Sequence, residues 1–160
     1  TLSYSEKDFI EFEQEIKLLE LYLSLEKLRF KKNFSFEIDK GNVEDILIPP
    51  MLIQPFIENS LAHGLLHKEG EKKLKIWFEL SDVLICKIED NGIGVEKSKK
   101  LKTTHQKQIK GRGSSNVKER IQILNELYNS DIHLEEKEKS KINLSGMIYK
   151  LRIPLKLNIK

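Results

Sequence analysis

Residues 48–64 read IPPMLIQPFIENSLAHG, and they predict a short helix with one apolar and one polar face. The helix is expected over residues 51–66, because the two prolines block a continuing strand and can open a helix. Asn59 and His63 are four residues apart, so they share one face. An asparagine oxygen is a neutral ligand that suits Mg²⁺, and His63 could reach a phosphate. The alternative is an ordinary polar helix face with a histidine at the negative end of the helix dipole.

A second polar cluster, DNGIG at residues 90–94, ends a strand in which apolar and polar residues alternate. Asp90 falls on the same strand face as Cys86 and Ile88, so its carboxylate is expected to point toward the core side. A buried carboxylate is costly without a hydrogen-bond donor, and the amino group of adenine is such a donor. The glycines of the cluster let backbone approach a flat ring closely. The alternative is a turn built on Asn-Gly, which is a strong turn signal by itself.

A third cluster, GRGSSN at residues 111–116, predicts the start of a helix with Ser114 or Ser115 as its N-cap. The free amides and the dipole at such a helix end favour a phosphate group. Residues 96–112 are polar and lysine-rich, which predicts a mobile loop long enough to form a lid. The alternative is an ordinary glycine hinge before a capped helix.

The remaining pattern predicts an α+β fold. Helices are expected over residues 6–31 and 114–129, and strands over residues 34–39, 43–48, 74–80, 84–90, 132–137 and 147–155. Consecutive strands without intervening helices argue against a doubly wound parallel sheet. They favour a two-layer α/β sandwich, with a mixed, mostly antiparallel sheet and helices on one face, preceded by a long N-terminal helix.

The predicted N-terminal helix has two apolar stripes. The first follows coiled-coil spacing and consists of Phe9, Phe12, Ile16, Leu19, Leu23 and Phe30. The second consists of Leu18, Leu21, Tyr22, Leu25 and Leu28. Because the second half of the helix is apolar on two sides, it should touch two neighbours. We expect the rest of the chain to cover too little of this surface, so that the first stripe is exposed.

Composition limits the classes of function. The chain has 28 Lys+Arg against 25 Asp+Glu, a net charge of +3, and only four of the basic residues are arginines. Lysines scattered among acids are typical of a solvated surface, so nucleic-acid binding is disfavoured. One cysteine, Cys86, excludes an internal disulfide framework and a cysteine-rich zinc site. No apolar run approaches the roughly 20 residues of a membrane-spanning helix. The sequence contains neither a Walker GxxxxGK[ST] motif nor a Gly-x-Ser-x-Gly motif.

Taken together, the three clusters resemble the N, G1 and G2 boxes of the GHKL (Bergerat) superfamily of ATP-binding domains. The matching segments are QPFIEN at 54–59 with His63 and Gly64, DNGIG at 90–94, and GRGSSNVKER at 111–120. The resemblance covers residues 33–156. The first cluster, with YLSLEKLRF at 22–30, is most similar to LytS-like sensor histidine kinases, which partner with LytTR-type response regulators.

The resemblance implies ATP and Mg²⁺ as ligands. Asn59 would hold Mg²⁺, and His63 would contact the ATP phosphates one turn on. Asp90 would accept a hydrogen bond from the adenine N6 amino group. Gly92 and Gly94 would line the base pocket.

The G2 box is implied to act at the phosphates. Gly111 and Gly113 would hinge the lid and offer backbone amides, and the helix end at Ser114 would add partial positive charge. Asn116 matches the family pattern. Arg120 matches it as well, although helix packing or a salt bridge explains that residue equally.

Two departures from the family pattern bear on the reaction. ATP-hydrolysing members carry a general-base glutamate four residues before the asparagine, where this chain has Pro55. Glu58 is adjacent to Asn59 and lies about 100° around the helix, so it is no obvious substitute. This favours transfer of the γ-phosphoryl group to a protein histidine over attack by water. None of the four histidines, His63, His67, His105 and His133, stands in the acceptor motif of the family.

The resemblance also implies an organisation beyond the three boxes. Residues 1–32 would be the C-terminal part of a dimerisation helix and linker, and residues 33–160 the catalytic ATP-binding domain. The acceptor histidine would lie on a helix upstream of Thr1, and the full-length protein would be a homodimer that passes the phosphoryl group to a response regulator. The chain would be a cytoplasmic domain of a bacterial protein, which a segment outside these residues anchors to the membrane. No nucleic acid is expected as a partner.

Two other functions stay open on the sequence. One is a non-catalytic ATP-binding or docking module, a pseudokinase, against which Asn59, Asp90 and the glycine loops argue. The other is a serine kinase or hydrolysing ATPase of the same superfamily. Pro55 argues against hydrolysis, and the long N-terminal helix argues against a serine kinase of the anti-sigma type.

Overall fold

The computed structural model describes residues 9–30, 33–50, 52–66, 68–93, 112–139 and 146–155, with the side chains of His63 and residues 112–116 outside that description. The elements, in chain order, are β1 (Ile10–Glu11), α1 (Phe12–Phe30), β2 (Phe34–Asp39), β3 (Leu47–Ile48), α2 (Gln54–Ser60) continued by a π-helical turn (Leu61–Leu65), β4 (Lys72–Leu80), β5 (Val83–Asp90), α3 (Arg112–Tyr128), β6 (His133–Glu138) and β7 (Met147–Pro154).

Five strands form one mixed sheet in the order β2-β4-β5-β7-β6. Only β2 and β4 are parallel, and the other neighbours are antiparallel. The short strands β1 and β3 pair separately, antiparallel. The predicted α+β class with a mostly antiparallel sheet is therefore confirmed.

One face of the sheet is apolar, because its strands alternate buried and accessible residues. In the three central strands the buried positions are Leu74, Ile76 and Phe78, Leu84, Cys86 and Ile88, and Met147, Tyr149, Leu151 and Ile153. Strand register brings these positions together, with Ile88 opposite both Ile76 and Tyr149. The described helices cover this face, so the molecule has the predicted two layers.

Helix α1 corrects one expectation. Five of the six residues in its first stripe are buried, at 0–7% exposure, and pack in the same core as the sheet. The ring of Phe12 meets Phe78 edge-on at 4.8 Å, and Phe9 meets Tyr128 in the same way at 4.8 Å. The first stripe is therefore internal and not exposed, because α1 lies against the sheet of its own domain.

The second stripe of α1 does lack a cover among the described residues. Its leucines, Leu18, Leu21, Leu25 and Leu28, are 49–75% exposed. The division of the chain at residue 32 stays a prediction.

Some boundaries differ from those expected. Helix α1 begins at Phe12 and not at residue 6, because residues 10–11 pair with β3 as a strand. Strand β3 is limited to residues 47–48, and Asp45 before it adopts a left-handed conformation with φ 49°. Within the described ranges, no helix combines the length and hydropathy that a membrane crossing requires.

Candidate functional site

Asn59 lies on the last turn of α2 and is 7% exposed. Its side-chain Nδ2 donates a hydrogen bond of 2.8 Å to the hydroxyl oxygen of Tyr149 on β7. Within the described part of the chain, its Oδ1 has no hydrogen-bond partner. The tyrosine therefore fixes the amide, and the free oxygen is the atom that could coordinate a cation.

Asp90 ends strand β5 on the buried face of the sheet and is 1% exposed. Its Oδ1 accepts hydrogen bonds from the backbone N–H of Gly92 at 2.8 Å and of Met147 at 3.3 Å. Its Oδ2 has no hydrogen bond of good geometry among the described residues, although the Ser60 hydroxyl is close enough to the carboxyl to lower its pKa. Because a buried acceptor without a donor is costly, Oδ2 is the atom that a donating ligand would satisfy.

Asp90 is shielded from solvent but has a charged residue close by. Burial raises the pKa of this carboxyl above its ordinary value of 3.8, and nearby hydrogen-bond donors and the positive charge of Lys139 oppose that rise. Lys139 is itself buried, and its Nζ lies 2.8 Å from Glu89 Oε2 and 3.2 Å from the carbonyl oxygen of Asp90. The lysine thus anchors the backbone at the end of β5, and the carboxyl remains under a desolvation penalty.

Two glycines bring the helix and the β5 turn into contact. A Cβ atom on Gly92 would lie 2.4 Å from the Cα and carbonyl carbon of Gly64. The Ile93 N–H donates to the Gly64 carbonyl oxygen at 3.2 Å. Gly64 is part of the π-helical turn at the end of α2, a rare geometry that is frequent at functional sites. This contact holds the carboxyl of Asp90 against the helix that carries Asn59.

The glycine contact predicts different results for two substitutions. In Gly92→Ala the new methyl group meets backbone at 2.4 Å, so we expect a loss of about 1–3 kcal/mol of stability together with weaker ligand binding. In Gly64→Ala the methyl group meets Asp90 Oδ1 at 3.0 Å, and the gain in helix propensity offsets strain. Gly64→Ala should therefore keep most of its stability and lose affinity. Urea unfolding and nucleotide titration of both variants check this, and equal behaviour of the two would contradict it.

Asn59 and Asp90 face the same side of the sheet, with Tyr149 beside both. Burial raises the pKa of Tyr149, and the charge of Asp90 raises it further. A cavity of about 680 Å³ between α2 and α3 is lined by Asn59. A second cavity of about 520 Å³ includes Asp90 in its lining, but most of that lining comes from the accessible face of the sheet, such as Glu37, Lys75 and Glu89. Among the described residues, Asn59 and Asp90 do not line the same one of these two cavities.

The cavity beside Asn59 has two carboxylates in its described wall, Glu58 on α2 and Glu119 on α3. Pro55 lines its wall at the position of the missing glutamate, and Glu58 lines it too. The Glu58 Oε1 accepts a hydrogen bond of 3.1 Å from the side chain of Gln54, one turn earlier. The carboxylate is therefore held along the helix surface, which agrees with the expectation from helical geometry.

The other predicted site residues are only partly described. The backbone of His63 belongs to the π-helical turn, and its side chain lies outside the described residues, as do Gly94 and Gly111. Gly113, Ser114 and Asn116 lie in the first turns of α3, and their side chains are not described. Because α3 begins at Arg112, the expectation that Ser114 or Ser115 precedes the helix as its N-cap is wrong by about one turn.

Sequence reasoning missed the role of Tyr149, which the strand pattern marked only as a buried position. The motif also did not show that Asn91, unlike its neighbour Asp90, has a purely structural role in the turn. The Asn91 side chain accepts from the Lys73 N–H at 2.8 Å and donates to the Glu71 carbonyl at 2.9 Å. Asn91 therefore fixes the turn to the start of β4.

The hydroxyl of Tyr149 should matter for both stability and cation binding. We expect Tyr149→Phe to lower stability by about 1–3 kcal/mol, because it leaves the buried amide of Asn59 without its acceptor. The magnesium-dependent part of nucleotide binding should fall several-fold, since the amide can then rotate. Chemical unfolding and titration with and without Mg²⁺ measure the two effects. Tyr22→Phe on α1 is the matched control, and an unchanged magnesium dependence in Tyr149→Phe would count against this role.

Comparisons of sequence place the chain near sensor histidine kinases. It is 30% identical over 112 residues to the uncharacterised protein YwpD of Bacillus subtilis, covering 69% of this chain and 40% of that protein. It is 27% identical over 142 residues to the sensor histidine kinase YesM of Bacillus subtilis, covering 87% of the chain and 24% of YesM. The sensor histidine kinase/phosphatase LytS of Staphylococcus aureus is 29% identical over 101 residues, covering 61% of the chain and 17% of LytS. No family model matches the chain.

Solved structures carry the same fold. The histidine kinase domain of the blue-light activated kinase EL346 from Erythrobacter litoralis superposes with a TM-score of 0.57 and 15% identity, over 88% of this chain and 64% of that one. The catalytic domain of the histidine kinase ThkA superposes with a TM-score of 0.54 and 17% identity, over 92% and 95% of the two chains. The resemblance to GHKL-type domains is thereby confirmed: the chain has the fold of histidine kinase catalytic domains, and its sequence is similar to LytS-like and YesM-like sensor histidine kinases.

Proposed function

We propose that this chain is the catalytic ATP-binding domain of a two-component sensor histidine kinase. In this proposal the domain binds Mg-ATP and transfers the γ-phosphoryl group to a histidine located upstream of Thr1. The chain spans between 17% and 40% of the length of the curated relatives described above. The activities of those whole proteins therefore come to this chain only as part of the proposal. The two-component assignment draws on their names, and the ThkA kinase has been solved with a response regulator.

The single observation that carries the proposal is a pair of buried oxygen atoms with no donor or cation among the described residues. They are Asp90 Oδ2 and Asn59 Oδ1, on the same side of the sheet. Each unsatisfied buried polar group costs about 1–3 kcal/mol, so a ligand that pairs with one of these atoms removes that cost. A ligand with a donor at one end and a cation at the other would satisfy both.

Mg-ATP has that chemistry. The adenine amino group would donate to Asp90 Oδ2. Asn59 Oδ1 would be one ligand of Mg²⁺, which keeps water and phosphate oxygens as its other ligands. When bound, Mg²⁺ supplies neutralisation of phosphate charge. His63, Gly94, Gly111, Gly113, Ser114 and Asn116 are proposed to complete the site at the base and the phosphates.

Transfer to a protein side chain is the favoured reaction. Pro55 has no carboxylate, and the Glu58 carboxylate is held by Gln54, so neither of these two residues on α2 is placed to activate water. The other carboxylate in the described wall of the cavity is Glu119 on α3. The domain would contribute position and charge neutralisation, as phosphoryl transfer requires.

Several finer points belong to the same proposal. The acceptor helix would precede this domain, a response regulator of the LytTR type would receive the phosphoryl group, and the full-length protein would be a membrane-anchored homodimer with this domain in the cytoplasm. The exposed leucines of α1 are apolar surface that a further helix could cover.

The test uses ATP labelled on the γ-phosphate, with Mg²⁺. We expect no labelling of this chain alone, and label on a histidine, stable to alkali and lost in acid, in a longer protein that carries the upstream segment. The same longer protein with Asp90→Asn should stay unlabelled. Tight ATP binding without phosphohistidine would instead favour the pseudokinase, and steady release of phosphate would favour the ATPase.

A further inference from the structure

The four leucines in the second stripe of α1 form an exposed apolar surface. Leu18, Leu21, Leu25 and Leu28 are 49–75% exposed and follow one another at steps of three, four and three residues. Such steps place them in one line along the helix, while the buried residues of the first stripe face the sheet. Single exposed leucines are common on protein surfaces, but a continuous apolar patch on the order of 400 Å² is in the range that marks an interaction site.

The charges next to this stripe are positive. Residues three or four positions apart are neighbours on the surface of a helix. Among the exposed residues of α1 at that distance from one of the four leucines, the charged ones are Lys17 and Arg29. The exposed acids Glu13 and Glu20 are not at that distance from any of the leucines. The stripe is therefore edged by cations.

Positive charge also gathers where α1 ends. The guanidinium of Arg29 lies 5.5 Å from the centre of the Phe30 ring, and the Lys72 ammonium lies 4.8 Å from it. Arg29 pairs with Glu26 at 3.4 Å, but the Arg29 side chain is 58% exposed and that of Glu26 only 16%. The cation is thus the member of the pair that faces solvent. A partner that fits this surface brings negative charge to the edges of its own apolar stripe.

The sequence outside the described residues does not supply such a partner. Segments 1–8, 140–145 and 156–160 are shorter than the three helical turns that the stripe spans. Segment 94–111 carries six lysines against one glutamate, so its charge has the same sign as the edges of the stripe. The occupant is therefore expected to come from another polypeptide.

A second copy of the chain is a poor fit as well. Two such stripes would bury on the order of 800 Å² in total, whereas specific stable interfaces bury about 1,200–2,000 Å². Pairing of two copies would also bring together two surfaces with cations at their edges, and like charges across an interface are costly.

We propose that the second stripe of α1 is a docking surface for an amphipathic helix of a partner protein, a helix whose apolar stripe is flanked by acidic residues. The partner helix lies along α1, with apolar side chains at heptad spacing packed between the leucines and carboxylates beside Lys17 and Arg29. Because the patch is small, the contact is weak and reversible, as in transient signalling interactions. This inference does not depend on the ATP-binding function.

The probe is a synthetic, fluorescently labelled peptide of three heptads (about 21 residues), with leucine at positions a and d and glutamate at e and g. A second peptide differs only in having lysine at e and g. Fluorescence anisotropy at nanomolar peptide measures the affinity of each for this chain. We expect the glutamate peptide to bind at least about tenfold more tightly than the lysine peptide, and the difference to shrink in high salt.

Leu21→Gln combined with Leu25→Gln tests the contribution of the chain. Glutamine is a good helix former and adds no charge, and both leucines are more than half exposed, so the urea midpoint should not change. We expect the double variant to bind the glutamate peptide at least about tenfold more weakly than wild type. Leu47→Gln is the matched control, because Leu47 is an exposed leucine on β3 and not on α1. Its affinity should stay within about twofold of wild type.

Four results would overturn the inference. The glutamate peptide could bind no better than the lysine peptide, or the double variant could keep wild-type affinity. A peptide of the same composition with its leucines out of heptad spacing could bind equally well, which would reduce the effect to charge attraction. Finally, sedimentation of the chain alone could show a dimer that the double variant abolishes, and the stripe would then belong to a second copy.

Discussion

Replacing Asp90 with Asn is expected to weaken ATP binding at least about 100-fold while the free domain stays as stable as wild type or becomes more stable. The Gly92 and Met147 amides still find an acceptor in the new side chain, because an asparagine oxygen can take the place of Oδ1. Its NH₂ group would then stand where Oδ2 was, opposite the donating amino group of adenine. Two donors facing each other cannot bond, so a near-isosteric change removes binding.

The stability of wild type relative to this variant should depend on pH in a definite direction. Burial raises the pKa of Asp90 in the folded state above 3.8, so folding favours its protonated form. A group of this kind contributes stability that is fully present below its unfolded pKa and is lost as pH rises through its folded pKa. The stability of wild type relative to Asp90→Asn should therefore fall as pH rises above about 4.

Calorimetric titration with ATP and Mg²⁺ measures the affinity, and urea unfolding between pH 4 and 8 measures stability. Asp82→Asn is the matched control, since Asp82 is an exposed residue in the turn between β4 and β5. It should leave both quantities unchanged. A large loss of stability in Asp90→Asn at neutral pH, with affinity lost in proportion, would mean that Asp90 is only a structural carboxylate.

Asn59→Ala should abolish the contribution of magnesium. We expect wild-type affinity for ATP to be higher with Mg²⁺ than with a chelator, and Asn59→Ala to show equal affinity in the two conditions. Phosphoryl transfer in the longer protein should fall by about 100-fold or more, because the cation that neutralises phosphate charge is no longer held. Stability should fall as well, by about 1–3 kcal/mol, since the Tyr149 hydroxyl loses its partner.

A control must separate the loss of stability from the loss of magnesium. Asn42→Ala removes the same side chain at a distant turn, where Asn42 bonds to the backbone N–H and carbonyl of Leu80 at 2.8 and 2.9 Å. It should lower stability and keep the magnesium dependence. If Asn59→Ala retained a normal difference between Mg²⁺ and chelator, the cation would have to be held elsewhere.

Much of the fold could be predicted because its strands alternate so regularly. The pattern in β4 and β5 fixes which face is buried, and the structure has Leu74, Cys86 and Asp90 on that face as expected. The parallel pairing of β2 with β4 could not be predicted, because alternation is the same in either direction. The packing partner of α1 could not be predicted either, because coiled-coil spacing does not distinguish a helix that packs on its own sheet from one that packs on another chain.

Some residues of the candidate site could be predicted from the sequence and others could not, for a physical reason. Asp90 and Asn59 stand in motifs whose residue types are costly to bury, so the sequence itself indicated a ligand. Tyr149 occupies a strand position at which tyrosine is common for many reasons. Its role depends on a contact between residues 59 and 149, which no local pattern contains.

A crystal structure of this chain with a non-hydrolysable ATP analogue and Mg²⁺ tests the central claim most directly. We predict that adenine N6 lies about 2.9 Å from Asp90 Oδ2 and that Mg²⁺ lies about 2.1 Å from Asn59 Oδ1. A nucleotide bound elsewhere on the domain, or one in this site whose base makes no contact with Asp90, would contradict the account.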